Sequence, residues 1–97
     1  MPQADQVHDN PQKNRFELEV DGETAFTVYQ KQGDTLVFVH TEVPPGERGQ
    51  GVASVLIKGT LQRVRDAGQK VVPLCPFVNA YITNHPEEQD LLAELKA

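Results

Sequence analysis

The stretch from residue 35 to residue 75 constrains the fold most, because its pattern is that of a continuous strand–helix–strand unit. Thr35–Val43 is strongly apolar, with LVFV at its centre, and Pro44-Pro45-Gly46 ends it. Lys70–Cys75 is a second, shorter strand. Such a unit is a right-handed crossover between parallel strands, and ligands tend to bind beyond the carboxyl ends of those strands. Between the strands lie residues with the spacing of a buried helical stripe: Ala53, Leu56, Ile57, Thr60, Leu61 and Val64.

Alternation of apolar and polar residues predicts two further strands earlier in the chain. In Arg15–Val20 the apolar side chains share one face. Asp21-Gly22 follows, a residue pair favoured in two-residue hairpin turns, and Glu23–Gln30 is the expected partner strand. These segments predict an antiparallel hairpin.

The same alternation, applied to the apolar strand, places His40 on the face of Phe38 and Thr41 on the opposite face. Proline suits the first position of a helix, so helices are expected to begin near Pro76 and Pro86. The expected fold class is therefore α/β (α+β). Its sheet is mostly antiparallel, with one parallel strand pair splayed around the crossover helix and with helices at the end of the chain.

Length and composition predict one domain over residues 15–97, because 97 residues is close to the size of a single domain. Residues 1–14 are polar without a period and are expected to form a disordered leader. No apolar run approaches the roughly 18 residues of a membrane span, and the leader lacks the apolar region of a secretory signal. Cys75 is the single cysteine, which excludes an intramolecular disulfide and a cysteine-rich zinc site. No metal is expected, and these features favour a cytoplasmic protein.

The formal net charge of −5 limits the classes of partner that the protein is expected to bind. It disfavours nucleic acid, because phosphate backbones are bound by clustered lysine and arginine. It suits a cationic acceptor such as an amine, carried by a small molecule or a protein. We expect neither a nucleic-acid nor a membrane partner, and either a monomer or a weak homodimer.

The glycine-rich segment PPGERGQGVAS leads directly into the predicted helix. Glycines allow the backbone to approach a ligand, and the N–H groups and dipole of a helix N-terminus favour a phosphate. The spacing matches neither the dinucleotide-binding motif nor the nucleotide-hydrolysing P-loop. The alternative is a flexible connection with no ligand.

Within this segment, Arg48–Ala53 fits the motif Gln/Arg-x-x-Gly-x-Gly/Ala, between an apolar strand and an amphipathic helix. Pro73–Phe77, Tyr81 and His85-Pro86-Glu87 follow further along the chain. Together these residues resemble the GCN5-related N-acetyltransferase (GNAT) family, and within it a minimal, YjdJ-like subfamily. The resemblance covers about residues 14–92, most of the chain.

The resemblance implies that acetyl-CoA binds, with its diphosphate on backbone N–H groups around the start of the helix. Larger members carry additional helices near the N-terminus that shape the acceptor site, so the identity of the acceptor does not carry over. The residues implied in cofactor binding are Arg48, Gly49, Gln50, Gly51, Val52, Ala53 and Ser54.

Acetyl transfer to an amine needs a base and a proton for the departing thiolate. His40 is suited as the base, because an unperturbed imidazole has a pKa of about 6.5. Cys75 directly precedes Pro76, and a thiol at a helix N-terminus ionises more readily. In the minimal subfamily a Cys and a His at these positions are the proposed catalytic pair. Cys75 is then either a transiently acetylated nucleophile or a proton donor, and Tyr81 is a further candidate donor.

Purely structural roles are the alternatives for the same residues. His40 fits a hydrogen-bonded residue at the edge of the core, Cys75 a small buried hydrophobe, and Tyr81 a core aromatic. Two other function classes also remain. One is a CoA- or acyl-CoA-binding module without turnover, and the other is a small interaction domain with a structural glycine loop.

Overall fold

The computed structural model describes residues 3–47 and 51–93. Within them, short 3₁₀ turns lie at Ala4–Gln6, Pro45–Glu47 and Pro86–Leu91. The strands and α-helices, in chain order, are β1 (His8–Asn10), β2 (Arg15–Val20), β3 (Glu23–Gln32), β4 (Thr35–Glu42), α1 (Val52–Asp66), β5 (Lys70–Pro73) and α2 (Pro76–Asn84).

The five strands form one sheet in sequence order. The first four are antiparallel neighbours, and β4 and β5 are parallel. Helix α1 makes the crossover between that parallel pair, so the predicted fold class is confirmed. None of the helices in the described part of the chain is long and apolar enough to cross a membrane.

Helix α1 packs on one face of the sheet with the stripe that its sequence predicts. Leu56, Ile57 and Leu61 are buried and belong to one core with sheet side chains such as Leu18 and Phe38. This burial is what holds the helix in place, because most helical stability in proteins comes from packing of the apolar face.

Turn and capping residues set the ends of the other elements. Asp21 and Gly22 both have positive φ, 51° and 80°, as a two-residue hairpin turn of this type requires. Gly68, with φ 71°, follows the end of α1. Pro76 occupies the first turn of α2 as predicted, whereas the helix expected near Pro86 is a 3₁₀ segment.

A β-bulge in β4 makes the predicted assignment of its faces wrong. Val28 pairs with His40 while Tyr29 pairs with Phe38, so Val39 is an extra residue without a cross-strand partner in this ladder. The alternation therefore reverses after Phe38. Thr41 turns into the core and His40 turns to the opposite face, because a bulge inserts one residue into a period of two.

Residues 3–14 are also ordered, contrary to the predicted disorder of the leader. Val7 is fully buried, and the Arg63 guanidinium donates hydrogen bonds to the backbone carbonyls of Val7 (3.0 Å) and Asp5 (2.9 Å). Gly59, in the middle of α1, leaves room for this approach, since a Cβ there would lie 2.7 Å from the Cβ of Val7. The buried Val7, the hydrogen bonds from Arg63 and the pairing of β1 with β2 together hold a segment whose average composition is polar.

Candidate active site

The pairing between the parallel strands β4 and β5 stops before β4 itself ends. Their pairing ends with Phe38 opposite Pro73, and the Cys75 N–H donates a hydrogen bond to the Phe38 carbonyl at 2.8 Å. Beyond this point β4 continues to Glu42, while the segment that follows β5 turns into α2. The family resemblance implies that acetyl-CoA lies in a wedge between the strands at this end of the sheet, where their pairing stops.

The N-terminus of α1 lies at the connection from β4. Gly51 precedes it with φ 76°, a conformation that strains any other L-residue. The first hydrogen bond of the helix runs from the Val55 N–H to the Gly51 carbonyl at 3.1 Å, so the N–H groups of residues 52–54 precede it. Such a terminus suits an anion. Of the predicted cofactor-binding residues, Arg48, Gly49 and Gln50 lie outside the described part of the chain.

A groove of about 460 Å³ opens between α1 and α2. This volume lies within the usual range for a small-molecule site. Ser54 in the first turn of α1 belongs to its wall, so the groove is continuous with the helix N-terminus that suits an anion. The lining residues are Ala53, Ser54, Ile57, Pro76, Phe77, Ala80, Tyr81, Asn84 and His85.

Several groove residues on α2 and at its C-terminal end are absent from the site predicted from the sequence. Phe77, Ala80, Asn84 and His85 recur with Tyr81 at spacings of three and four, which is the period of one helix face. That period was available as a signal. It was not informative alone, because the stripe mixes aromatic, small and polar residues, and Phe77 remains half exposed.

Cys75 lies at the predicted end of the sheet, but its sulfur is sealed from solvent. The residue is 1% exposed and is the N-cap of α2, yet its side chain makes no capping hydrogen bond. Instead Sγ lies 3.1 Å from the Thr41 hydroxyl, which lies 2.9 Å from the Thr27 hydroxyl. The thiol is therefore held by side chains of the sheet rather than by the N-terminus of the helix.

His40 is at the same end of the sheet as Cys75 but on the other face. Its side chain is 57% exposed, its Nε2 lies 3.5 Å from a Glu42 carboxylate oxygen, and its ring meets the Phe26 ring edge-on at 6.3 Å between centroids. Phe26 points away from the core, since its neighbours Ala25 and Thr27 are fully buried. The structure thus places the predicted pair on opposite faces of the sheet and not in contact.

Tyr81 lies in the groove wall and stacks on His85, with ring centroids 3.8 Å apart and planes inclined by 11°. His85 Nδ1 donates to the Tyr81 carbonyl at 2.7 Å, because a carbonyl can only accept. Burial raises the pKa of Tyr81, and the carboxylates of Glu88 and Glu87 raise it further. The phenol therefore stays protonated at neutral pH and can donate a hydrogen bond or a proton in the groove.

Comparisons with known proteins agree with this architecture. Residues 15–91 match a family model described as GCN5-related N-acetyl-transferase. The chain is 31% identical to Protein NATD1 of Mus musculus over 88 residues, which span 88% of this chain and 80% of that protein. It is 30% identical to Protein NATD1 of Homo sapiens over 88 residues, spanning 88% of this chain and 78% of that one.

Among solved structures, a GCN5-like N-acetyltransferase candidate from Staphylococcus aureus, determined by NMR in solution, has the same fold. The TM-score is 0.65 with 19% sequence identity, and the match covers 96% of this chain and 92% of that chain. At this identity the likeness concerns the fold alone.

Proposed function

This chain belongs to the GCN5-related N-acetyltransferase family, and on that premise we propose that it transfers an acetyl group from acetyl-CoA to an amine. When bound, acetyl-CoA supplies an acetyl thioester, which is an activated acyl donor. The acceptor is a small molecule or a protein. The net charge of −5 supports a cationic amine.

One observation carries the proposal: three features suited to CoA meet at one end of the sheet. They are the N-terminus of α1, the groove between α1 and α2, and the point where the pairing of β4 with β5 stops. Ser54 and the N–H groups of residues 52–54 would hold the diphosphate, with Arg48 of the preceding loop. Ile57, Phe77 and Ala80 would line the path of the uncharged pantetheine arm.

The chemical roles follow from the face of the sheet on which each side chain lies. His40, exposed beside Glu42, would accept the amine proton on the open face of the sheet. Cys75 and Tyr81 lie on the helix side, where the thiolate of CoA departs. Since Cys75 has almost no free surface, a role as nucleophile or donor requires the ligand to enter against its sulfur.

Binding is tested with Ser54→Asp, a substitution that separates folding from ligand affinity. A carboxylate in the first turn of α1 suits the helix dipole, so stability is maintained, but it repels a diphosphate. We expect CoA affinity to fall at least about tenfold by calorimetry. Pantetheine, which has no phosphate, should bind both proteins equally. Equal CoA affinity in the two proteins contradicts this placement.

Turnover is tested by release of free CoA thiol from acetyl-CoA with a panel of amines. We expect amine-dependent release that His40→Ala slows at neutral pH and slows less at alkaline pH, where the amine loses its proton without a base. Intact mass after brief mixing without an amine distinguishes the two roles of Cys75, since only a nucleophile retains one acetyl group. CoA binding without amine-dependent release would instead identify a CoA-binding module.

A further inference from the structure

Two threonine hydroxyls and the single thiol form a hydrogen-bonded chain inside the core. Thr27 Oγ1 lies 2.9 Å from Thr41 Oγ1, and Thr41 Oγ1 lies 3.1 Å from Cys75 Sγ. Thr27 is 0%, Thr41 6% and Cys75 1% exposed. The three residues come from β3, β4 and the start of α2, so this series of hydrogen bonds exists only in the folded protein.

The bulge in β4 is the structural cause of this chain. If Val39 were paired in a regular ladder instead of bulged, alternation would put His40 on the core side and Thr41 outside. With the bulge, Thr41 meets the Thr27 hydroxyl across the ladder and the sulfur beside it. Bulges often re-aim a side chain near an active site.

Apolar packing does not require hydroxyls at these positions. Valine has nearly the shape of threonine, and burying a hydroxyl costs free energy that a hydrogen bond only offsets. A cross-strand threonine pair would be satisfied without Cys75. The second contact of Thr41, with the sulfur, therefore points to a role for the hydroxyl at the thiol.

Counting protons shows that both hydrogen bonds can form with either form of the thiol, although the thiol form leaves the Thr27 hydroxyl hydrogen outside them. When Cys75 is a thiol, its S–H donates to Thr41 and the Thr41 O–H donates to Thr27. When Cys75 is a thiolate, both hydroxyls rotate, so that Thr27 donates to Thr41 and Thr41 donates to the sulfur. Hydroxyl hydrogens rotate freely, so this reversal needs no movement of heavy atoms.

We propose that Thr41, oriented by Thr27, is a positioning residue that stabilises the thiolate of Cys75. The catalytic use of that thiolate rests on the proposed function, but the effect of the hydroxyl on the thiol does not. If Cys75 is the donor, its S–H bond breaks, the proton passes to the departing CoA sulfur, and the electron pair left on Cys75 is stabilised by the Thr41 hydroxyl. If Cys75 is the nucleophile, the same hydrogen bond stabilises it before attack.

The test is the rate of Cys75 alkylation by iodoacetamide, followed by intact mass. Because the chain has one cysteine, all label reports this sulfur. In Thr41→Val the rate at about pH 7 should fall about tenfold, the loss expected for a hydrogen bond to a charged group. Towards about pH 10 the ratio to wild type should shrink towards one, because thiols then ionise without assistance. Thr41→Ser, which keeps the hydroxyl, should stay within about twofold of wild type.

Three results would overturn the proposal. The first is a Thr41→Val rate equal to wild type, and the second is a reduction of the same size at every pH, which would indicate altered access. The third is a wild-type thiol that reacts only as fast as the protein unfolds. If Thr41→Val is too unstable to measure, Thr27→Val, one step further from the sulfur, should show a smaller loss with the same pH dependence. Loss of acetyl transfer with this alkylation pattern intact would refute the proposed function alone.

Discussion

Two opposing physical effects decide how substituting Gly59 by alanine changes the stability of the protein. Replacing an interior helical glycine by alanine ordinarily stabilises a helix by about 1 kcal/mol. Here, however, a Cβ at position 59 would lie 2.7 Å from the Cβ of Val7 and would press on the carbonyl oxygen of Ala4. Both obstacles belong to or adjoin the backbone, so no rotamer change relieves them. The N-terminal segment must move away from α1.

The size of the penalty follows from what that segment buries. Exposing Val7, now fully buried, costs about 1.5–3 kcal/mol. The two hydrogen bonds from Arg63 to the carbonyls of Asp5 and Val7 add about 0.5 kcal/mol each, at the low end because they are partly exposed. Subtracting about 1 kcal/mol for helix propensity leaves a net destabilisation of about 2 kcal/mol.

Urea unfolding of Gly59→Ala against wild type measures the difference, and amide hydrogen exchange shows whether residues 4–10 lose protection. Gly46→Ala is the matched control, because a Cβ there meets nothing within 4 Å and its φ is ordinary. The control should change stability by less than about 0.5 kcal/mol. A Gly59→Ala protein that is more stable than wild type would show that the N-terminal segment does not dock on α1, and the reasoning would fail.

Three further predictions concern stability. Leu56→Ala should cost about 2–5 kcal/mol as a buried large-to-small change, while Lys58→Ala on the exposed face should cost less than about 0.5 kcal/mol; similar urea midpoints would refute the helix orientation. Thr60→Val should raise stability by about 1 kcal/mol, because the buried Thr60 hydroxyl has no hydrogen-bond partner among the described residues; a lower melting temperature would indicate an unseen partner. Burial raises the pKa of Glu17, but hydrogen bonds, chiefly from Arg15, outweigh it and hold that pKa below its ordinary value. The stabilisation by the Glu17 carboxylate is therefore present at neutral pH and lost as pH falls through the lowered pKa. Glu17→Gln should thus unfold at a lower urea concentration than wild type at neutral pH, and the difference between the two midpoints should close in acid. The same difference at all pH values would count against this.

Local signals in the sequence predicted the strands β2 to β5, the two α-helices and their topology, but not β1 or the 3₁₀ form of Pro86–Leu91. The stripe of α1 is visible because the period of a helix depends only on residues three and four apart. The apolar strand before it and the short strand after it then leave few arrangements, because crossovers between parallel strands are right-handed. The glycine motif and the position of Cys75 at the end of the second strand also lie within this unit.

Features that depend on distant residues could not be predicted in the same way. The face that His40 occupies is decided by the register of β4 against β3, where Val39 has no partner. The docking of Val7 depends on a gap at Gly59, and the groove depends on how α2 settles beside α1. None of these has a local pattern that marks it.

The hydrogen-bonded chain from Thr27 to Cys75 shows the same division. The sequence determines that a threonine lies next to His40 and that the only cysteine precedes a proline. Only the tertiary structure decides that this threonine faces the sulfur, because an extra residue in one strand reverses the side on which every later side chain lies. Secondary structure follows from interactions between near neighbours in the chain, whereas side-chain partners follow from the pairing of strands, which is settled only when the whole sheet has formed.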